Sequence, residues 1–181
     1  MGQEYTPWIV YPKAVDPVLL HSQRQKALGS GLVPLVDTEV GVRVSDGQYF
    51  WDRALSAVLG CLVNRAQDDL SIEFDWSTMG RLQMTRYRPG GKYDWHVDND
   101  FLLEPTGLQR KWTVVVGISR PDADFIGGGL ELMWTNATQH AVLLDQGDAI
   151  VFPSTLLHRG KPVLEGERWI LVAWAQGRAL R

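Results

Sequence analysis

Arg81-Leu82-Gln83-Met84-Thr85-Arg86-Tyr87, then Arg88-Pro89-Gly90-Gly91, then Lys92-Tyr93-Asp94-Trp95-His96-Val97-Asp98: this stretch, residues 81–98, decides the fold class. In the first run Arg81, Gln83, Thr85 and Tyr87 share one face and Leu82, Met84 and Arg86 the other, the two-residue period of a strand. Pro89-Gly90-Gly91 marks a turn. The second run continues as a strand, which puts His96 and Asp98 on the same face.

The rest of the chain follows from there. Trp112–Ile118 is almost continuously apolar, as a strand buried on both faces would be. Gly127–Trp134, Ala141–Leu144, Asp148–Phe152 and Arg168–Ala175 are further short strands, with Gly147 suited to a tight turn. Upstream, Trp8–Tyr11 reads as a first strand. Asp16-Pro17 offers a capping residue and a proline at the first helical position, opening a helix expected to reach about Leu28 and stop at Gly29. Residues 29–47 read as a strand and turn. A second helix is expected from about Gln48 to Ala66, with Trp51, Leu55, Val58, Leu59 and Leu62 as the stripe that packs on a sheet. Asp68-Asp69 is its solvated end. The prediction is one domain over 1–181, mainly β with N-terminal helices (α+β). Residues 1–79 form a helical and strand support region. Residues 80–177 form a catalytic core, a double-stranded β-helix (jelly-roll, cupin-like) buttressed by two helices.

Composition narrows the partners. The 181 residues carry a net charge of −3, so no global basic field draws the chain to nucleic acid or a membrane. No apolar run approaches the roughly 20 residues of a membrane span. The start, Met1-Gly2-Gln3-Glu4-Tyr5, lacks the basic and apolar regions of a signal peptide. Cys61 is the single cysteine and reads as a packing residue. These features predict a cytoplasmic protein in a reducing compartment. The eight tryptophans read as core and barrel lining.

The chemistry lies in a spacing. One strand offers His96 nitrogen and Asp98 oxygen to a single ion. His158 follows the apolar strand Asp148–Phe152 and a Pro153-Ser154 break, and is the natural third ligand. Two histidines and a carboxylate on one side of Fe(II) leave the opposite side open for O2. Arg168, ten residues further on, shares a face with Ile170, Val172 and Trp174. A guanidinium in an apolar barrel is costly unless paired, and the carboxylate of an acidic cosubstrate would pair it in bidentate geometry. A lone His-x-Asp arises often by chance, and a strand histidine is more often structural. The combination with His158 and Arg168 carries the reading.

Other features have plainer readings. Gln83 and Thr85 become pocket candidates if Tyr87 faces the cavity. Arg86, Arg88 and Lys92 form a small basic patch, either a solvated strand face or a guide for an acidic peptide or phosphate. Residues 99–110 read equally as a lid or as a short helix over the barrel end. His21, Asp122, Asp124 and His140 are not assigned to metal.

The segment Gln83–Asp98 resembles the iron-binding segment of prolyl 4-hydroxylase-like 2-oxoglutarate/Fe(II) dioxygenases, in particular bacterial and phage members. Gly127-Gly128-Gly129-Leu130-Glu131-Leu132 is similar to the family's Gly-Gly-x-Leu strand start. Phe152-Pro153-Ser154, His158-Arg159, Pro162-Val163 and Gly166-Glu167-Arg168 match as well. The resemblance implies Fe(II) held by His96, Asp98 and His158. It implies 2-oxoglutarate as cosubstrate, with its distal carboxylate on Arg168, and O2; ascorbate is a further candidate. Tyr87 matches a tyrosine that reaches the cosubstrate, and Trp174 an aromatic lining the same pocket. Gly117 falls where some relatives place a second cosubstrate-binding tyrosine, with Thr113 on the same strand as a substitute. Intact Asp98 argues against the halogenase variation. The expected activity is hydroxylation of an unactivated C–H bond, most readily a prolyl residue in a peptide or protein. Three alternatives stay open: the same chemistry on a free amino acid or nucleic-acid base, a metal-dependent jelly-roll isomerase or lyase without 2-oxoglutarate, and a non-catalytic binding module. The sequence does not give an oligomeric state.

Overall fold

The structure is a computed structural model that describes residues 5–37, 41–99 and 107–179. The N-terminal third runs β1 (Ile9–Tyr11), α1 (Pro17–Ser30), β2 (Val33–Leu35), β3 (Arg43–Phe50) and α2 (Arg53–Leu70). Then come β4 (Thr78–Met79), β5 (Leu82–Tyr87), β6 (Lys92–His96), β7 (Gln109–Gly117), β8 (Phe125–Gly127), β9 (Leu130–Trp134) and β10 (Thr138–Val142). The chain ends with β11 (Ala149–Pro153), β12 (His158–Gly160), β13 (Val163–Gly166) and β14 (Arg168–Gly177).

Both helices start where their caps say. The Asp16 carboxylate accepts the Val18 N–H at 2.8 Å, and the Asp52 carboxylate accepts the Leu55 N–H at 2.9 Å. The first helix passes Gly29 and stops at Gly31, whose φ of +85° a residue with a side chain resists. The second begins five residues later than expected, because Gln48, Tyr49 and Phe50 pair with Met84, Gln83 and Leu82 as part of β3. Trp51 therefore precedes the helix and stands 69 % exposed, and Val58 is exposed as well. The buried stripe is Leu55, Leu59, Val63, Ala66 and Leu70. Among the described residues no helix is long and apolar enough to cross a membrane.

The strands pair antiparallel in the order β1-β11-β7-β14-β5-β3-β6-β12-β9-β10. β3 is the hinge of this curl. Its Asp46–Phe50 end pairs with β5, while Arg43 and Val44 pair with Tyr93 and Lys92 of β6. The five strands before the hinge form a major sheet, and the four after it fold over to face it. Helix α2 packs on the outer side of the major sheet, where Leu55, Leu59 and Val63 meet Trp112, Leu171 and Ala173. A second apolar cluster lies inside the curl and includes Tyr87, Val115, Leu132, Phe152, Ile170 and Trp174. Strands with one core on each face read as continuous apolar runs, as β7, β11 and β14 do. This is the expected mainly-β architecture with two buttressing helices.

Gly127, Gly128 and Gly129 all have positive φ, +75°, +64° and +93°. A Cβ on Gly128 would stand 3.1 Å from Arg168 Cδ and 3.3 Å from both Phe125 and Val163. Gly128→Ala should cost roughly 1–2 kcal/mol from left-handed strain alone, read as a lower urea midpoint; an unchanged midpoint would show that this turn does not need glycine.

Candidate active site

Strand register builds the centre of the site. His158 of β12 lies directly opposite His96 of β6, and opposite Leu132 of β9 on its other side. Asp98, just past the end of β6, completes the group. The side-chain ligand atoms of His96, Asp98 and His158 all lie within 4.8 Å of one another. His96 Nε2 is 3.6 Å from Asp98 Oδ1, and His158 Nε2 is 3.6 Å from Asp98 Oδ2.

Both imidazoles are held in the same tautomer. His96 Nδ1 is 2.7 Å from the Asp94 carbonyl and His158 Nδ1 is 2.8 Å from the Leu156 carbonyl. A carbonyl only accepts, so each Nδ1 carries the proton and each Nε2 keeps its lone pair for an ion. Burial, then the neighbouring His158, push the His96 pKa down to about 4, so its ring is neutral at pH 7. At Asp98 burial alone would raise the pKa. The two imidazoles and a hydrogen bond from Thr113 outweigh it, and the net shift is downward. Two imidazole nitrogens and one carboxylate oxygen converging on a point form a donor set that suits Fe(II).

The cavity beside this group has a volume of about 250 Å³. Its walls include Arg168, Ile170, Val172 and Trp174, the face expected from strand alternation, with Tyr87 and Gln83 from β5. Arg168 sits opposite Tyr87 in the ladder, and its guanidinium lies 5.5 Å from the Tyr87 ring centroid. It is 5 % exposed, and burial pulls its pKa below the ordinary value. Among the described residues no carboxylate pairs with it. Gly160 lines the same end of the cavity. A Cβ there would stand 3.8 Å from both Arg168 Nη1 and Tyr87 Oη. The Trp174 indole N–H is buried beside Asp98 without a hydrogen bond of good geometry. An uncompensated guanidinium, an idle indole donor and a glycine-lined end fit an anionic ligand reaching from the His-Asp-His group to Arg168.

Several expectations change. Thr113 does not serve the far end of the cavity. Its Oγ1 donates to Asp98 Oδ2 at 2.7 Å, because Thr113 pairs with Trp174, six residues along β14 from Arg168. Gly117 leaves no room for a tyrosine, since its Cβ direction meets the Asp145 carbonyl and, at 3.1 Å, Leu144 Cβ. The basic patch is neutralised on site. Arg86 pairs with Asp46 at 2.9 Å and Glu167 at 3.5 Å, Arg88 reaches the same two carboxylates, and Lys92 pairs with Asp94 at 3.1 Å. Asp124 pairs with Arg120. The choice between lid and helix for 99–110 concerns residues 100–106, which lie outside the described residues; Gln109 and Arg110 already belong to β7. Thr85 is buried with its hydroxyl 3.4 Å from Gln83 Oε1.

The structure adds Tyr93, Arg43, Asp37 and Arg110. The Tyr93 ring stacks on His96 at 3.5 Å, and its hydroxyl donates to Asp37 at 2.6 Å. Burial and this carboxylate push its phenol pKa up, so it stays protonated. Arg43 lies over the same ring at 4.6 Å and donates to Gln83 Oε1 at 3.1 Å. Arg110 stacks over Trp174 at 4.1 Å. Strict alternation sends Tyr93 and His96 to opposite faces. A register shift undoes it: Tyr93 to His96 spans three residues against the two from Gly160 to His158. No residue type in the stretch announces such a bulge.

Comparison with known proteins agrees with this geometry. The chain is 29 % identical over 136 residues to a PKHD-type hydroxylase of Idiomarina loihiensis, covering 74 % of this chain and 60 % of that protein. A PKHD-type hydroxylase of Paracoccus denitrificans is 39 % identical over 93 residues, covering 50 % of this chain and 40 % of that one. The chain thus spans about half the length of the curated relatives it matches. In fold it superposes on a Pseudomonas putida prolyl-4-hydroxylase with a TM-score of 0.75 at 18 % identity, covering 94 % of this chain and 93 % of that one. A Trichoplax adhaerens prolyl hydroxylase, solved with a hypoxia inducible factor peptide fragment, gives 0.73 at 17 % identity over 93 % and 83 %. The model of the 2OG-Fe(II) oxygenase superfamily matches residues 82–176, from the first strand of the ligand segment to the last strand of the barrel, and the chain belongs to that superfamily.

Proposed function

We propose that this chain is a 2-oxoglutarate- and Fe(II)-dependent dioxygenase that hydroxylates an unactivated C–H bond, with a prolyl residue of a peptide or protein as its substrate. One observation carries the reading: a buried guanidinium, Arg168, shares a cavity with a convergent His-Asp-His group and has no carboxylate partner among the described residues. An isomerase or lyase working on a metal alone would not need that charge, and a binding module would not need the convergent ligands.

In this reading His96, Asp98 and His158 hold the iron by two Nε2 atoms and a carboxylate oxygen. Arg168 takes the distal carboxylate of 2-oxoglutarate, with the Tyr87 hydroxyl beside it. When bound, iron and the 2-oxo acid supply the oxidising equivalents that activate O2 and break the C–H bond. The protein's own work is placement and exclusion. Val115, Leu130, Ile170 and Val172 line the cavity and keep water from its inner part. Tyr93, braced by Asp37 and stacked on His96, sets the wall nearest the metal ligands and holds no transferable charge at neutral pH. A peptide substrate is supported by the peptide-bound prolyl hydroxylase that shares this fold and by the hydroxylase names of the sequence relatives.

Anaerobic addition of Fe(II) and 2-oxoglutarate should give the weak visible charge-transfer band of a chelated 2-oxo acid. His96→Ala should abolish it. Iron binding with no band in the unmutated protein would remove the oxygenase reading.

Arg168→Ala should weaken 2-oxoglutarate binding by roughly 30- to 1,000-fold, the cost of truncating one partner of a buried charge pair. Iron affinity should stay close to its starting value, and equal losses of both would reject the role given to Arg168. Incubation of the loaded enzyme with proline-containing peptides should add one oxygen atom to the peptide by mass spectrometry. Oxidation of free amino acids or oligonucleotides instead, with peptides untouched, would replace the substrate class.

A further inference from the structure

Three elements meet behind the Asp98 carboxylate. Thr113 on β7 and Ser154, in the turn after β11, are both 0 % exposed. Thr113 Oγ1 donates to Asp98 Oδ2 at 2.7 Å and lies 2.9 Å from Ser154 Oγ. A carboxylate only accepts, so the single Thr113 proton is committed to Asp98. The bond between the two hydroxyls must then run from Ser154 to Thr113. The result is a directed chain, Ser154 to Thr113 to Asp98, in which each bond polarises the next. Ser154 also fixes the backbone, because its carbonyl accepts the N–H groups of Asp98 and Asn99, both at 2.9 Å.

We propose that Thr113 is a positioning residue that limits Asp98 to one coordinating oxygen. The proposal rests on the iron and 2-oxoglutarate reading of the site. A carboxylate can give a metal one oxygen or both. Around an octahedral ion, two imidazoles and one oxygen leave three places, enough for a bidentate 2-oxo acid and O2. Two imidazoles and both oxygens leave only two, and the cosubstrate must then compete with Asp98. A hydrogen bond to Oδ2 from a fully buried hydroxyl, itself oriented by a second one, makes Oδ2 a poor second ligand. The backbone bonds to Ser154 hold Asp98 next to Thr113, so the carboxylate stays within reach of this donor.

The test uses the full chain under anaerobic conditions, titrated first with Fe(II) and then with 2-oxoglutarate, and reads both affinities and the charge-transfer band. Thr113→Val keeps the shape and removes the proton. It should bind Fe(II) at least as tightly as the unmutated protein and 2-oxoglutarate roughly 10- to 100-fold more weakly, about the worth of one hydrogen bond to a charged group. Thr113→Ser should restore both to within about twofold, since it returns the same donor. Wild-type chelation by Thr113→Val, failure of Thr113→Ser to rescue, or parallel loss of iron and cosubstrate would each overturn the proposal. Should Thr113→Val not fold, Ser154→Ala takes its place. It should weaken 2-oxoglutarate severalfold with iron binding kept, and unaltered chelation there would overturn the proposal equally. A missing band in the unmutated protein would instead count against the functional reading itself, so the two failures are distinct.

Discussion

A positive charge enclosed in an apolar barrel is the constraint around which this molecule is organised. Isolated ionised groups are among the most costly things a protein can bury. Arg168 starts β14, the strand with the most extensive pairing in the fold, and its side chain runs inward between Tyr87 and the Gly127–Gly129 turn. Glycine at 128 lets the turn lie against the stem of the arginine, and glycine at 160 lies beside its tip. Neither residue pairs the charge. The fold therefore keeps a desolvation cost that no carboxylate among the described residues offsets. That is a functional signature of the kind a stability argument alone does not produce.

The second organising fact is that the site straddles two sheets. Arg168, Trp174 and Thr113 belong to the major sheet, and His96 and His158 to the minor one. Among the described residues only β3 ties the two together through the ladder, with one end on β5 and the other on β6. The distance between the metal ligands and the guanidinium is thus fixed by how sharply the sheet curls at β3, not by any local stretch of chain. Asp98 crosses that divide. Its own strand is in the minor sheet, and its carboxylate is held by Thr113 of the major one.

This division explains what could be read from the sequence. Period-two alternation located every residue whose partner lies on the same strand: His96 with Asp98, and Arg168 with Ile170, Val172 and Trp174. A cap locates the start of the first helix, whereas the apolar stripe places the second too early, because Tyr49, Phe50 and Trp51 continue the pattern from a strand into a helix whose cap is Asp52. Its place after an apolar strand and a Pro-Ser break makes His158 the third ligand, and resemblance joins Tyr87 to the group. Across strands the sequence was silent. Thr113 was assigned to the wrong end of the cavity, because its neighbours depend on the β7–β14 register, which no residue type encodes. Tyr93 was missed because a bulge reverses its face. Arg43 and Asp37 flank a turn far upstream, and nothing in their local pattern ties them to a cavity built forty or more residues later.

The charges of the inner cavity also say how its ligands must arrive. The cavity is lined by the carboxylates of Asp98 and Asp37 and the guanidiniums of Arg168, Arg43 and Arg110, with Asp98 at the histidine end and Arg168 buried at the other. A divalent cation alone would add two positive charges to a poorly solvated space, and a dicarboxylate alone two negative ones. Together they offset each other, the cation against Asp98 and the near carboxylate, the far carboxylate against Arg168. In a medium where charge is this poorly screened, each ligand lowers the cost of binding the other, and the coupling is reciprocal by thermodynamic necessity. The apolar walls that exclude water are therefore also what makes the cavity selective: it favours a metal and a dianion as a pair over either one.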